Sequence, residues 1–122
     1  MTARIILIIV LSGLILVSLG LAETIYVPSD YPDIQAAVDY ATDGDEILLA
    51  DGVFTGLGNY DINMLGKAIT VRSQNGNPDD CVIDIPGQHN GVSQRGFLFL
   101  SGEDSDCVVR DLTIMNGVAD GP

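Results

Sequence analysis

The residues best suited to chemistry in this chain are carboxylates in two turn clusters, Asp79-Asp80 and Glu103 with Asp104 and Asp106. Calcium takes oxygen ligands that converge on one point, so acidic turns on neighbouring strands, stacked about 4.8 Å apart, would suit a Ca²⁺ bridging an acidic sugar. Asp in a turn more commonly hydrogen-bonds its own backbone. We adopt that second reading and assign no metal or cofactor, with Asp79, Asp80, Asp104 and Asp106 as the candidates should Ca²⁺ bind. Arg72, Arg95 and Arg110 have the donor geometry to pair with uronate carboxylates. A lyase base would instead need an arginine of lowered pKa, which guanidinium strongly resists. His89 lies in a loop rich in Gly, Asn and Gln, with no cysteine, serine or acid at catalytic spacing. It reads as an exposed loop residue. Asn116, before Gly117, reads as a turn residue that hydrogen-bonds across to a neighbouring coil. No acid/base or nucleophile pair stands out, so catalytic and carbohydrate-binding residues are left unassigned.

Cys81 and Cys107 begin similar segments, Cys81-Val-Ile-Asp84 and Cys107-Val-Val-Arg-Asp111. Matched strands one coil apart would place them almost above one another. Export permits a disulfide. The rung spacing lies at the short end of the Cα separations a disulfide tolerates, and parallel side chains suit it poorly. Two stacked thiols are therefore expected rather than a bridge.

Before any of these residues can be positioned, residues 1–22 must be set aside. Arg4 provides a positive start, Ile5 to Val17 is almost unbroken apolar sequence, and Gly20-Leu21-Ala22 places small residues where a signal peptidase requires them. The apolar run is short for a bilayer span of about 20 residues and has no basic stop after it. A cleaved signal peptide, cut after Ala22, is the expectation, with a secreted or cell-surface product and no membrane insertion after cleavage. The chain carries a formal net charge of −12, and loss of Arg4 makes it one unit more negative. Nucleic acid and anionic lipid need a basic footprint and are excluded as partners on this ground.

Residues 23–45 read as a strand and one amphipathic helix. Ser29 or Asp30 is placed to cap it, Pro32 and Asp33 fall in its first turn, and Ile34, Ala37, Val38 and Ala41 share a face. Residues 46–122 form an imperfect repeat of strand, turn, strand, turn, strand. Segments starting at Glu46, Ala68 and Gly96 match one another, as do those at Cys81 and Cys107, and those at Asp61 and Asp111; the loop Pro86 to Arg95 is read as replacing a middle copy. Alternation then assigns inner walls. Ile47, Leu49, Ile69, Val71, Phe97 and Phe99 form one, Ile62, Met64, Leu112 and Ile114 a second, and Cys81, Ile83, Cys107 and Val109 a third.

This pattern predicts an all-β right-handed parallel β-helix of about three coils, with an N-terminal capping α-helix and an uncapped C-terminal end. The run Pro32-Asp33-Ile34-Gln35-Ala36-Ala37-Val38, then Asp43-Gly44-Asp45 and Ile47-Leu48-Leu49-Ala50-Asp51-Gly52, resembles the start of the pectin-lyase-like superfamily. Gly66-Lys67-Ala68-Ile69-Thr70-Val71-Arg72-Ser73, with Cys81-Val82-Ile83-Asp84 and Leu112-Thr113-Ile114-Met115-Asn116-Gly117, is most similar to large secreted bacterial β-helix repeat proteins. The resemblance implies a polysaccharide partner, acidic or neutral, and either of two roles. One is a non-catalytic, carbohydrate-associated or structural stalk, which we favour. The other is the N-terminal part of a polysaccharide lyase or carbohydrate esterase, pectate-lyase-like or pectinesterase-like, with catalytic coils beyond residue 122. The end at Val118-Ala-Asp-Gly-Pro122 reads as the N-terminal portion of something longer.

Overall fold

The computed structural model describes residues 6–11 and 15–118. Arg4 and residues 119–122 lie outside them, as does what was expected of each. Strands β1 (Ile6–Leu11) and β2 (Ile15–Gly20) pair antiparallel with each other and with no other described strand. Among the described residues no helix is long and apolar enough to cross a membrane.

The chain enters its body with β3 (Thr24–Val27), then α1 (Ile34–Tyr40). The helix starts later than the sequence suggests because Asp33, in extended backbone, caps it; its carboxylate accepts the Ala36 N–H at 2.8 Å. Asp30 is occupied elsewhere, accepting the Tyr26 N–H at 2.9 Å. Pro32 and Asp33 therefore precede the first turn. The predicted stripe is correct in composition: Ile34, Ala37, Val38 and Ala41 are fully buried and join the core formed by the strands. Two side chains fasten the helix down. Gln35 exchanges hydrogen bonds with the Asn63 backbone in both directions, and Lys67 Nζ donates to the carbonyls of Val38 and Asp39 near the helix C-terminus, where a cation also meets the negative end of the peptide dipoles.

From there the chain visits three parallel sheets in fixed rotation. Strands β4 (Glu46–Leu49), β5 (Gly52–Phe54) and β6 (Ile62–Asn63) begin one circuit. Strand β7 (Thr70–Ser73), a 3-10 turn at Pro78–Asp80, and β8 (Cys81–Asp84) start the next. A small antiparallel hairpin follows, β9 (Gln88–His89) with β10 (Val92–Ser93), before β11 (Phe97–Leu98), β12 (Val108–Arg110) and β13 (Thr113–Met115). The first sheet is β3, β4, β7, β12; the second β5, β8, β13; the third β6 and β11. Every neighbouring pair within them is parallel. Between β3 and β4, α1 takes the place that strands of the second and third sheets occupy in later circuits.

The register corrects the repeat matching in the later part of the chain. Phe97 pairs with Ile62, Val108 with Thr70, and Thr113 with Val82. Thus the Gly96 segment belongs with Asp61 rather than with Ala68, the Cys107 segment with Ala68 rather than with Cys81, and the Asp111 segment with Cys81. The cause is the loop from Pro86 to Arg95, which is inserted before a third-sheet strand and does not replace one. Inner walls change accordingly. Ile47, Leu49, Ile69, Val71, Ile62, Met64, Cys81 and Ile83 are buried as expected, whereas Phe99 is 50% and Ile114 45% exposed. Phe97, Cys107, Val109 and Ile114 border an apolar depression of about 570 Å³ over the last described strands.

Candidate functional site

The first sheet brings together an outward row that its four strands hold in register. Ile25, Val27, Ile47, Leu49 and Val71 point into the core, so alternation turns Tyr26, Leu48, Arg72 and Arg110 outward, one above another. Tyr26 is 37% exposed while Leu48 keeps only 7%. Arg72 Nη2 donates to Glu46 Oε1 at 3.0 Å and Nη1 to the Ser73 carbonyl at 3.0 Å. The Glu46 hydrogen bond holds the Arg72 guanidinium above its ordinary value, against the opposing effect of burial. Arg72 Nε is buried without a hydrogen-bond partner. Arg110 pairs with the neighbouring Asp111. The row thus offers an aromatic face and two planar donors, each beside a carboxylate acceptor, a set that matches the alternating apolar and hydroxyl faces of a sugar.

Of the three arginines, the sheet unites Arg72 and Arg110. Arg95 is exposed just before β11, where its backbone N–H meets Asp61 Oδ1 at 2.7 Å. Tyr26 and Leu48 went unnoticed in the sequence, although the alternation of Ile25 and Val27 around Tyr26 carries the signal.

The acidic turns do not share a side of the fold. Asp79 and Asp80 lie between β7 and β8, a first-to-second-sheet connection, whereas Glu103, Asp104 and Asp106 lie between β11 and β12, a third-to-first connection. Their convergence on one Ca²⁺ is therefore corrected: stacking aligns only turns of the same connection. Asn75 Nδ2 bonds Asp80 Oδ2 at 3.1 Å, and Asp104 Oδ1 accepts the Asp106 N–H at 2.9 Å, both turn-closing contacts. Among the described residues no group of three or more His, Cys, Asp or Glu is placed to hold a metal.

Glu103 does different work. Its two oxygens accept the N–H groups of Gly66 and Ser101, each at 2.9 Å, tying turns of adjacent circuits together. Desolvation raises its pKa, but N–H donors from Glu103 itself, Ser101, Gly66 and Leu100 outweigh it and leave the carboxyl below its ordinary value. Gly66 has φ +70°, and a Cβ there would come within 2.9 Å of the Ser101 carbonyl oxygen. Only glycine allows this approach.

Cys81 is opposite Gly52 in the second sheet, and Cys107 precedes β12 in the first. They are free thiols on different walls, so the stacked arrangement is corrected for the same reason as the repeat matching. Burial pushes the Cys81 thiol up to about 11, with Asp51 adding to it. Burial likewise raises Cys107, helped by Glu103 and Asp104. Neither is a thiolate near neutral pH. His89 is exposed on the hairpin opposite Val92. Asn116 Nδ2 donates to Asp84 Oδ1 at 2.7 Å, reaching the adjacent strand's end.

Comparisons with family models, with curated proteins and with solved structures found no match to this chain.

Proposed function

We propose that this chain is part of a secreted, right-handed parallel β-helix that serves as a non-catalytic, carbohydrate-associated stalk. The fixed rotation of strands through three parallel sheets supports the reading: parallel connections within a sheet are right-handed in about 98% of cases, and a stack of such circuits is a solenoid. The resemblance to pectin-lyase-like proteins points the same way. Such a fold hosts many activities, so the role must come from a site.

The row Tyr26, Leu48, Arg72 and Arg110 is the site. Its partner is a neutral polysaccharide, because Glu46 and Asp111 already compensate both guanidinium groups and the net charge of −12 repels a polyanion. Sugar hydroxyls satisfy such donor-acceptor pairs without adding charge. Affinity electrophoresis of the exported chain in gels containing a neutral β-glucan or polygalacturonate tests this. Retardation is expected in the neutral gel, reduced about fivefold by Arg110→Ala, consistent with about 1 kcal/mol for one hydrogen bond. Retardation only by polygalacturonate, or equal retardation of the variant, would reject the row as the site. Release of unsaturated uronates would reject the non-catalytic role.

A further inference from the structure

Asparagine is followed by glycine at Asn75-Gly76, Asn90-Gly91 and Asn116-Gly117. Such a pair is where an asparagine side chain is most readily attacked by its own backbone, because glycine has no Cβ to obstruct the approach. All six residues are exposed, so access to solvent does not separate the three pairs. Nor does backbone conformation separate Asn90, with φ +52°, from Asn116, with φ +63°. The difference lies in what holds the two reacting groups, the side-chain amide that leaves and the glycine nitrogen that attacks. At Asn75 both are held: Nδ2 donates to Asp80 Oδ2 at 3.1 Å and the Gly76 N–H to Ser73 Oγ at 3.1 Å, while Oδ1 accepts the Asn77 N–H at 2.6 Å. At Asn116 the leaving amide is held, its Nδ2 donating to Asp84 Oδ1 at 2.7 Å. At Asn90 neither group has a hydrogen-bond partner among the described residues. Asn90 and Gly91 form the tip of the hairpin, whose strands pair only through Val92 with His89 and Ser93 with Gln88. So short a hairpin opens at little cost.

We propose that Asn90 is a site of spontaneous deamidation, and that hydrogen bonding to Asp84 protects Asn116 while bonding to Asp80 and Ser73 protects the Asn75 pair. The Gly91 nitrogen gives up its proton to solvent base and attacks Asn90 Cγ. The N–Cγ bond forms, the Cγ–Nδ2 bond breaks, and the side-chain nitrogen takes up a proton and leaves as ammonia. Water then adds across either C–N bond of the cyclic imide. One opening restores the backbone and leaves an aspartate side chain. The other carries the backbone through the former side chain as isoaspartate, adding one methylene to the two-residue loop. Either product replaces a neutral amide with a carboxylate and makes the chain more negative than −12. The loop length sets the strand register in so tight a hairpin, so the added methylene shifts Val92 against His89 and loosens the pair. Because the attacking nitrogen must first lose its proton, the reaction speeds up as pH rises above neutral.

The test holds the purified full chain in mildly alkaline buffer, natively and in denaturant, and follows the amide-to-acid mass shift at each asparagine by fragment-ion sequencing of its peptides. In denaturant the three pairs are expected to react at similar rates. In the native protein Asn90 is expected to react close to its denatured rate, Asn116 about tenfold more slowly, the factor that one hydrogen bond to a charged group supplies, and Asn75 more slowly still. Asp84→Ala is expected to speed Asn116 about tenfold and to leave Asn90 unchanged. Comparing native with denatured wild type decides the matter even where the variant does not fold. Protection of Asn90 as strong as that of the other two would overturn the proposal. Native reaction of Asn75 or Asn116 as fast as Asn90, or no response of Asn116 in folded Asp84→Ala, would overturn the protective role of the hydrogen bonds.

Discussion

At the residue scale, the informative side chains are those whose neighbours decide their chemistry. Cys81 has an ordinary sequence context, and its inertness comes from burial on the second sheet's inner wall. Its pKa of about 11 exceeds the ordinary value of 9.0, so the folded state holds the proton more tightly than the unfolded state. The sign follows directly: this contribution to stability is full below the unfolded pKa and is lost as pH rises from about 9 to about 11. Denaturation midpoints are expected to fall across that window in wild type and to fall less in Cys81→Ala, even though the variant starts lower because of its cavity. Equal alkaline slopes would show that the thiol is not buried as described. Gly66 offers a second test. Alanine there must accept a left-handed backbone and a contact with the Ser101 carbonyl, at a cost of about 1–3 kcal/mol in chemical denaturation. An unchanged midpoint would remove the Glu103 tie between circuits from the account. Asn116 was legible because Asn before Gly at a strand end has few roles. Asp45, 2% exposed, was not, because nothing in Asp43-Gly44-Asp45 says that one aspartate turns inward.

At the scale of elements, hydrophobic periodicity carried the helix and its buried stripe, while its start depended on which of several nearby caps is used. Ser29, Asp30 and Asp33 are all competent N-caps by composition. Asp30 closes the β3 turn, leaving Asp33, whose carboxylate also packs against Gly58. Asp33→Ala is expected to cost about 1 kcal/mol, and Asp33→Asn only a fraction of that, since asparagine retains the accepting oxygen. If both substitutions lost the same amount, charge rather than capping would hold the helix start. The strands were readable from alternation, but their grouping after Pro86 was not. A matching procedure sees similar apolar runs, and Phe97-Leu98-Phe99 looks as much like Ile69-Thr70-Val71 as like Ile62-Asn63-Met64. Only pairing through space separates them, and the inserted hairpin removes the spacing that would otherwise have helped.

At the scale of the whole molecule, one rule accounts for most of what is seen: each circuit adds a parallel strand to the first, second and third sheet in turn. It puts Tyr26, Leu48, Arg72 and Arg110 in a row, separates the two acidic turns, parts the cysteines and leaves Phe99 and Ile114 at the exposed side of the last described strands. Function was the least legible part, because the row of four strands on which the proposed function rests exists only once the register is known. The register is therefore the claim to test, by nuclear Overhauser contacts between backbone protons of uniformly labelled protein. Contacts of Phe97 with Ile62, Val108 with Thr70 and Thr113 with Val82 are predicted; contacts placing Phe97 beside Ile69 and Cys107 beside Cys81 would contradict the rotation and everything built on it.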